Sequence, residues 1–569
     1  MNQAAPDAAG PRWGSDLVTD TLAALGIEHI AVNPGASFRG LHDSLVHAGQ
    51  PELVMTLFEG VAVAVAHGYA KAAGRPMAVA LHDLVGLQHG AMALFNAYVD
   101  QVPMLVVGGS GPADASRRRP WIDWIHSAST QGQFVRDLVK WDDEPASLAA
   151  LVPSLERAHQ LACAAPAGPT YVAIDALLQE AEVGAAVPAG TLRQPAHLGP
   201  DPEAVEAAAE LLAHAERPLV VADLVGRTKV GFDALRRLVE ATGARVVDLG
   251  GAFNFPNDHP ADGTADHGAL LGAADVVVAI DVRDHQLALG AMRHDSEGWR
   301  PLVAPGARVV SIGLNALLHR GFLDREGVAP IDVELVAESA LALPALADAL
   351  EGRRVRPAAP WPEADPPTRQ DARSSSLGRL ALASWEVVRE GPWLVANGDL
   401  HGWVRRTWTM RDFGSHLGHS GGAGLGYGPG AAIGAALAHR DDDTLVVSFQ
   451  SDGDLFYTAS ALWTAAHHRL PLLWIVVNNR TYGQDRMHQS LMADRRQRHH
   501  DVGVGIDICD PAMDVAALAR AQGVEAWGPV STDDHRTLTE TLARAATVVR
   551  NERRPVLVDV LVDYEGGRS

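Results

Sequence analysis

The sequence predicts an α/β chain of three domains, each a parallel sheet covered by helices. Three observations carry this. Short runs dense in Val, Ile and Leu recur between stretches of helical period, at 103–109, 169–175, 218–223, 276–281, 308–313, 445–449, 472–477 and 555–563. Continuous apolar runs, rather than alternating ones, are what strands buried on both faces require. Two segments break the pattern: 184–205 is rich in Gly, Pro and Ala, and 351–376 in Pro and charge, so both read as linkers. Finally, 569 residues exceed one core, since domains usually hold about 100–200. The predicted boundaries are 1–185, 190–350 and 377–569.

Composition narrows the function classes. Hydrophobic residues make up 47% and charged residues 20%, as in ordinary globular enzymes. The net charge of −22 repels nucleic acid and anionic membranes, so neither is expected as a partner. Two cysteines, Cys163 and Cys509, cannot frame a disulfide scaffold or a zinc cage. The N-terminus has no apolar signal core, and no uncharged apolar run approaches about 20 residues. A cytoplasmic location is expected. The pair His499-His500 lacks neighbours at metal-ligand spacing, so no zinc is assigned.

The outer thirds share an internal pattern. In each, an Asp precedes a helical Ala/Leu stretch, then a Pro and a strand. Asp83 lies 20 positions before Pro103, and Asp452 lies 19 before Pro471. Both thirds also end in a Pro-flanked strand. Either generic α/β similarity, or two domains of one fold dividing one cofactor between them, would produce this pattern.

Chemistry concentrates in SDGDLFYTASALWTAAHHRLPLLWIVVNNRTYG, residues 451–483. Asp452 and Asn479 are hard oxygen donors 27 positions apart, each where an apolar run stops. Both would stand at the carboxyl edge of a parallel sheet, where α/β proteins bind ligands. A helix starting near Thr458 would offer free N–H groups to an anion. Thr481 is close enough to add a carbonyl oxygen. Magnesium takes oxygen ligands and commonly shares substrate phosphates, so the set suits Mg²⁺ on a diphosphate.

Asp-Gly, followed after this interval by Asn-Asn, resembles the diphosphate motif of thiamine diphosphate (ThDP) enzymes. The resemblance is to the acetolactate synthase and pyruvate decarboxylase superfamily, and within it most to benzoylformate decarboxylase. It extends to ALWTAA and NNRTYG, and in the first third to IAVNPGAS (30–37), LFEGVAVAVAHGYAKAAGRP (57–76), VALHDLVG (79–86) and LVKWDDEPAS (138–147). It implies that Asp452, Asn479 and Thr481 hold Mg²⁺. It assigns Asn33, Pro34, Gly35, Gly424, Leu425, Gly453, Asp454 and Tyr482 to cofactor contacts, with Leu425 as the apolar wedge under the bent cofactor. Glu59 would hydrogen-bond the pyrimidine ring and promote ylid formation. His82, and His285 if one gap is allowed, would move protons. The implied activity is decarboxylation of a 2-oxo acid through an enamine. Acetolactate synthase-like carboligation, or cleavage of a 2-hydroxy ketone, is the alternative, and a non-catalytic cofactor-binding relative is a third reading. A homodimer would be the minimum active unit, and a homotetramer is expected.

Three positions depart from the family pattern. Ser451 stands where glycine is usual, which a negative φ would accommodate. Ala36 replaces an active-site serine, with Ser37 one place later. The segment 483–500 is polar, and it reads either as a solvated face or as a lid gripping an anionic substrate through Arg486 or His488. His89 reads as structural. The middle third has no dinucleotide-binding glycine fingerprint.

Overall fold

In the computed structural model the described residues are 11–184, 196–292, 299–317, 331–361, 369–498 and 500–565. His499 therefore lies outside them. The chain folds as two compact units, one of residues 1–196 with 422–435, the other of 197–421 with 436–569.

The first unit holds a six-stranded sheet. Its strands are β1 (His29–Val32), β2 (Glu52–Met55), β3 (Met77–Leu81), β4 (Met104–Ser110), β5 (Trp141–Asp143) and β6 (Pro169–Asp175). Their order is β2-β1-β3-β4-β6-β5, and every pairing is parallel. Residues of β3 and β4 are buried throughout, as their unbroken apolar runs require.

The second unit holds two further parallel sheets. The middle one uses β7 (Pro218–Ala222), β8 (Arg245–Asp248) and β9 (Val276–Ile280). A small antiparallel pair, β10 (Gly290–Met292) with β11 (Trp299–Pro301), interrupts the succession before β12 (Arg308–Gly313) and β13 (Val333–Val336). The order is β13-β12-β9-β7-β8. The last sheet uses β14 (Trp393–Asn397), β15 (Leu445–Ser451), β16 (Leu472–Asn478), β17 (Glu525–Ser531) and β18 (Val556–Leu561), in the order β14-β15-β16-β18-β17.

All eight apolar runs read from the sequence are strands, and the fold class is as predicted. The repeat also has a structural counterpart. With β2 set aside, the first and last sheets have the same winding, while the middle sheet winds differently. Asp83 and Asp452 each open a helix directly after a strand, and in each case the next strand is that strand's neighbour in the sheet.

Around the last sheet the core gathers Val447, Phe449, Leu473, Ile475, Val556 and Val558 against Leu380, Leu538 and Leu542 from covering helices. Each such burial stabilises by roughly 1.5–3 kcal/mol. One expectation changes here. The helix foreseen near Thr458 starts earlier, at Asp452. It runs only to Tyr457, breaks at Thr458 (φ −135°, ψ 40°) and resumes at Ala461–His467. Acidic Asp452 and Asp454 suit that first turn, because a helix N-terminus favours negative charge.

In the first unit the helix Glu59–Ala73 is buried along almost its whole length. Its alanine and glycine content lets the 427–435 stretch pass backbone to backbone. A Cβ on Gly68 would lie 2.0 Å from the Ala431 carbonyl oxygen. Gly68→Ala is therefore expected to cost about 1–3 kcal/mol and to lower the thermal midpoint. An unchanged melting curve would contradict this close crossing.

Candidate active site

Two clusters of predicted site residues form, one in each unit. In the second unit, β15 and β16 are adjacent, with Ser451 paired to Val477. That register puts Asp452 and Asn479 just past the ends of neighbouring parallel strands. Ser451 has φ −67°, so a serine fits there without strain. The Asp452 carboxylate is buried and accepts the N–H of Gly453 at 2.9 Å and of Arg480 at 2.8 Å. Asn479 Oδ1 accepts the Thr481 N–H at 3.0 Å. Burial pushes the Asp452 carboxyl up to about 6, against the pull of these N–H groups. Thr481 is buried, and its hydroxyl has no hydrogen-bond partner. Gly453 lies under the Tyr482 ring, where a Cβ would come within 2.7 Å. Asp454 accepts a hydrogen bond from the Gln450 side chain.

This donor set consists of hard oxygens: the buried Asp452 carboxylate, the Asn479 amide oxygen and the buried, unpartnered Thr481 hydroxyl. A divalent cation with oxygen preference fits it.

In the first unit, Glu59 opens its helix and is buried, and its Oε2 lies 3.1 Å from His89 Nδ1. His82 caps the helix Asp83–Val99. Gly86 lies between the two side chains: a Cβ there would be 3.1 Å from Glu59 Oε1 and 3.3 Å from His82 Cβ. Asn33, Pro34 and Gly35 follow β1, and Gly35 abuts the His82 ring so closely that a Cβ would stand 2.4 Å from it. Further along the same helix, Asn96 clamps Gly424, donating to its carbonyl at 3.2 Å and accepting its N–H at 3.1 Å. That clamp leaves the Leu425 side chain exposed.

Family descriptions match three stretches. Residues 12–134 match "Thiamine pyrophosphate enzyme, N-terminal TPP binding domain". Residues 205–346 match the central domain of the same enzymes, and 396–560 the C-terminal TPP binding domain. The chain belongs to the thiamine pyrophosphate enzymes.

Among relatives of this thiamine pyrophosphate enzyme, benzoylformate decarboxylase of Pseudomonas aeruginosa is 29% identical, over 89% of this chain and 91% of its own. Acetolactate synthase 1 of Zea mays is 24% identical, over 98% and 86%. The fold is shared with a 4-hydroxybenzoylformate decarboxylase of Rhodococcus jostii RHA1, at TM-score 0.76, 21% identity and coverage of 98% and 100%. Benzoylformate decarboxylase of Polynucleobacter necessarius gives TM-score 0.76 at 19% identity, covering 98% and 99%.

The remaining predicted residues fall as follows. His285 opens the short helix His285–Leu289 that follows β9, where its Nε2 lies 3.1 Å from Ser311 Oγ of β12 and burial lowers its pKa. Arg486 does not present a free cation. It makes two bonds to Asp507, at 2.7 and 2.9 Å, and lies over the Tyr564 ring. Segment 483–495 is a mostly exposed helix, as the solvated-face reading expects, and its Arg486 is already paired with Asp507.

Four features of this thiamine pyrophosphate enzyme go beyond the sequence reading, which noted Ser37 only as the serine one place after Ala36. Ser37 is buried, with its Oγ 2.9 Å from His82 Nδ1. His126 Nδ1 lies 3.3 Å from His82 Nε2. His89, read as structural, is largely exposed at Glu59. Past the end of β14, a cavity of about 310 Å³ is lined by residues including Asp399, Arg405, His416 and His419. Burial alone would raise the Asp399 pKa, but the His419 side chain and the charge of His416 hold it well below the usual range. None of these contacts has a local spacing that a sequence displays.

Burial, then the charge of Asp123, pushes Asp83 up to about 7. A carboxyl with a folded pKa above its unfolded value holds its proton longer in the native state. Stability therefore falls as pH rises from about 4 toward 7. In metal-free protein, Asp83→Asn is expected to raise the melting temperature at pH 8 and to change it little at pH 4. An equal effect at both values would contradict a buried, destabilising carboxylate.

Proposed function

We propose that the protein decarboxylates a 2-oxo acid, using ThDP and Mg²⁺. The observation that carries this reading is the paired strand-end site of Asp452 and Asn479, in a chain of this family. The resemblance to benzoylformate decarboxylase supports the reaction class.

Asp452, Asn479 and an oxygen of Thr481 would hold Mg²⁺. Gly453, Asp454 and Tyr482 would flank the diphosphate, with Asn33, Pro34, Gly35, Gly424 and Leu425 about the rings. Bound ThDP supplies a carbon nucleophile and an electron sink. Glu59 would share a proton with the pyrimidine ring. His82 would carry protons to and from substrate, its ring fixed by Ser37 and its basicity lowered by burial and His126. His285 is proposed as a second proton carrier only by the family pattern. The boundaries 1–185, 190–350 and 377–569 are proposed as three domains, each holding one parallel sheet. A homodimer as minimum unit, a homotetramer and a cytoplasmic location complete the proposal. Among the described residues no helix is long and apolar enough to cross a membrane.

Product analysis by NMR tests the reading. With ThDP and Mg²⁺, a panel of 2-oxo acids is expected to yield CO₂ and an aldehyde. Formation or cleavage of a 2-hydroxy ketone would move the protein to the carboligase or lyase reading. Binding without any turnover would favour the non-catalytic one. Glu59→Gln is expected to slow proton exchange at C2 of bound ThDP by about 10²–10⁴-fold while leaving the fold intact. Unchanged exchange would remove Glu59 from its proposed role.

A further inference from the structure

The surroundings of His82 contain a feature that proton transfer does not need. Asp83 follows it directly, with a positive φ of 41°, a conformation unusual outside glycine. Its side chain is buried, and its Oδ1 has no hydrogen-bond partner. An unpaired buried carboxylate oxygen is costly to a fold. Ligand atoms of His82, Asp83 and His126 all lie within 4.8 Å of one another.

We propose that His82, Asp83 and His126 form a binding site for a transition-metal dication of the zinc class, distinct from the oxygen-donor site at Asp452. The donors are two imidazole nitrogens and one carboxylate, a set that suits zinc and is poorly matched to magnesium. His82 Nε2 and His126 Nδ1 are 3.3 Å apart. Two nitrogens bound to a tetrahedral zinc stand roughly 3.4 Å apart, given Zn–N bonds of about 2.0–2.1 Å. The existing spacing is therefore already that of two ligands on one ion. The Asp83 carboxylate, with an oxygen within 4.8 Å of both nitrogens, supplies the third donor.

The outer contacts also fit. A metal-bound histidine usually engages its other ring nitrogen in a hydrogen bond, which fixes the ring. His82 Nδ1 does so with Ser37 Oγ at 2.9 Å, and that oxygen also accepts the Asp83 N–H at 3.2 Å. His126 comes from the short helix Ile122–His126, anchored by buried Asp123, which bonds Arg119. Arg119 is thus paired, and its charge is partly neutralised near the site.

Metal at this site would occupy His82 Nε2 and so hold the protein in an inactive, metal-loaded form. That consequence rests on the proposed role of His82, whereas the binding does not.

The test is Co²⁺ titration of chelator-treated full-length protein, with saturating Mg²⁺ to fill the oxygen-donor site, followed by visible absorption. One Co²⁺ per chain, with the intense bands of low coordination number, is expected. His126→Ala and Asp83→Asn should each weaken binding at least tenfold, while Asp452→Asn leaves the bands in place. Circular dichroism confirms that each variant is folded. Absence of the bands in the wild-type protein, or their persistence in either folded His126→Ala or Asp83→Asn, overturns the site. Because no substrate is present, neither outcome depends on the proposed reaction.

Discussion

A buried carboxylate at the end of a parallel strand organises the second unit. Asp452 can remain at the carboxyl edge of β15 because two backbone N–H groups point at it, one from its own helix start and one from Arg480 past β16. The second contact requires β15 and β16 to be neighbours in parallel register. It also requires the chain to turn sharply after Asn479, and Arg480 does so with φ 58°. The segment beyond secures this turn: Thr481 bridges Asp507, and Ile508 donates to the Arg480 carbonyl at 2.9 Å. Arg486 then ties its helix to the same Asp507.

Backbone strain falls at several of these places in both units, as well as elsewhere among the described residues. Positive φ values outside glycine occur at Asp83 beside His82, at Leu400 and His401 beside Asp399, at Ala423 before Gly424, and at Arg480 after Asn479. Such conformations persist only where surrounding contacts over-determine them, and they concentrate at binding sites. Here the contacts are visible: the Ser37 hydroxyl holds the Asp83 N–H, and Asn96 holds Gly424 from both sides.

Much of this was legible in the sequence, for physical reasons. A parallel sheet covered on both faces needs unbroken apolar runs, and these announced the core strands. One strand–helix–strand passage takes about 30 residues, so donors 27 positions apart could be placed on adjacent strand ends. Short edge strands such as β5 and β13 are only partly buried and lack that signature. The contacts of His82 with Ser37 and His126 span 45 and 44 positions, so they depend on tertiary folding and leave no local spacing to read. Arg486 looked like a cation available to substrate because its partner, Asp507, lies 21 positions away. The break at Thr458 escaped as well, since nothing in TASALWTAA forbids one continuous helix.

The proposed role of the ends of β15 and β16 is to bind a diphosphate through a divalent cation. The direct measurement is calorimetric titration of apo protein with ThDP, once with Mg²⁺ and once with a chelator. One ThDP per chain is expected with Mg²⁺, and at least tenfold weaker binding without it. Equal affinity under both conditions would contradict it.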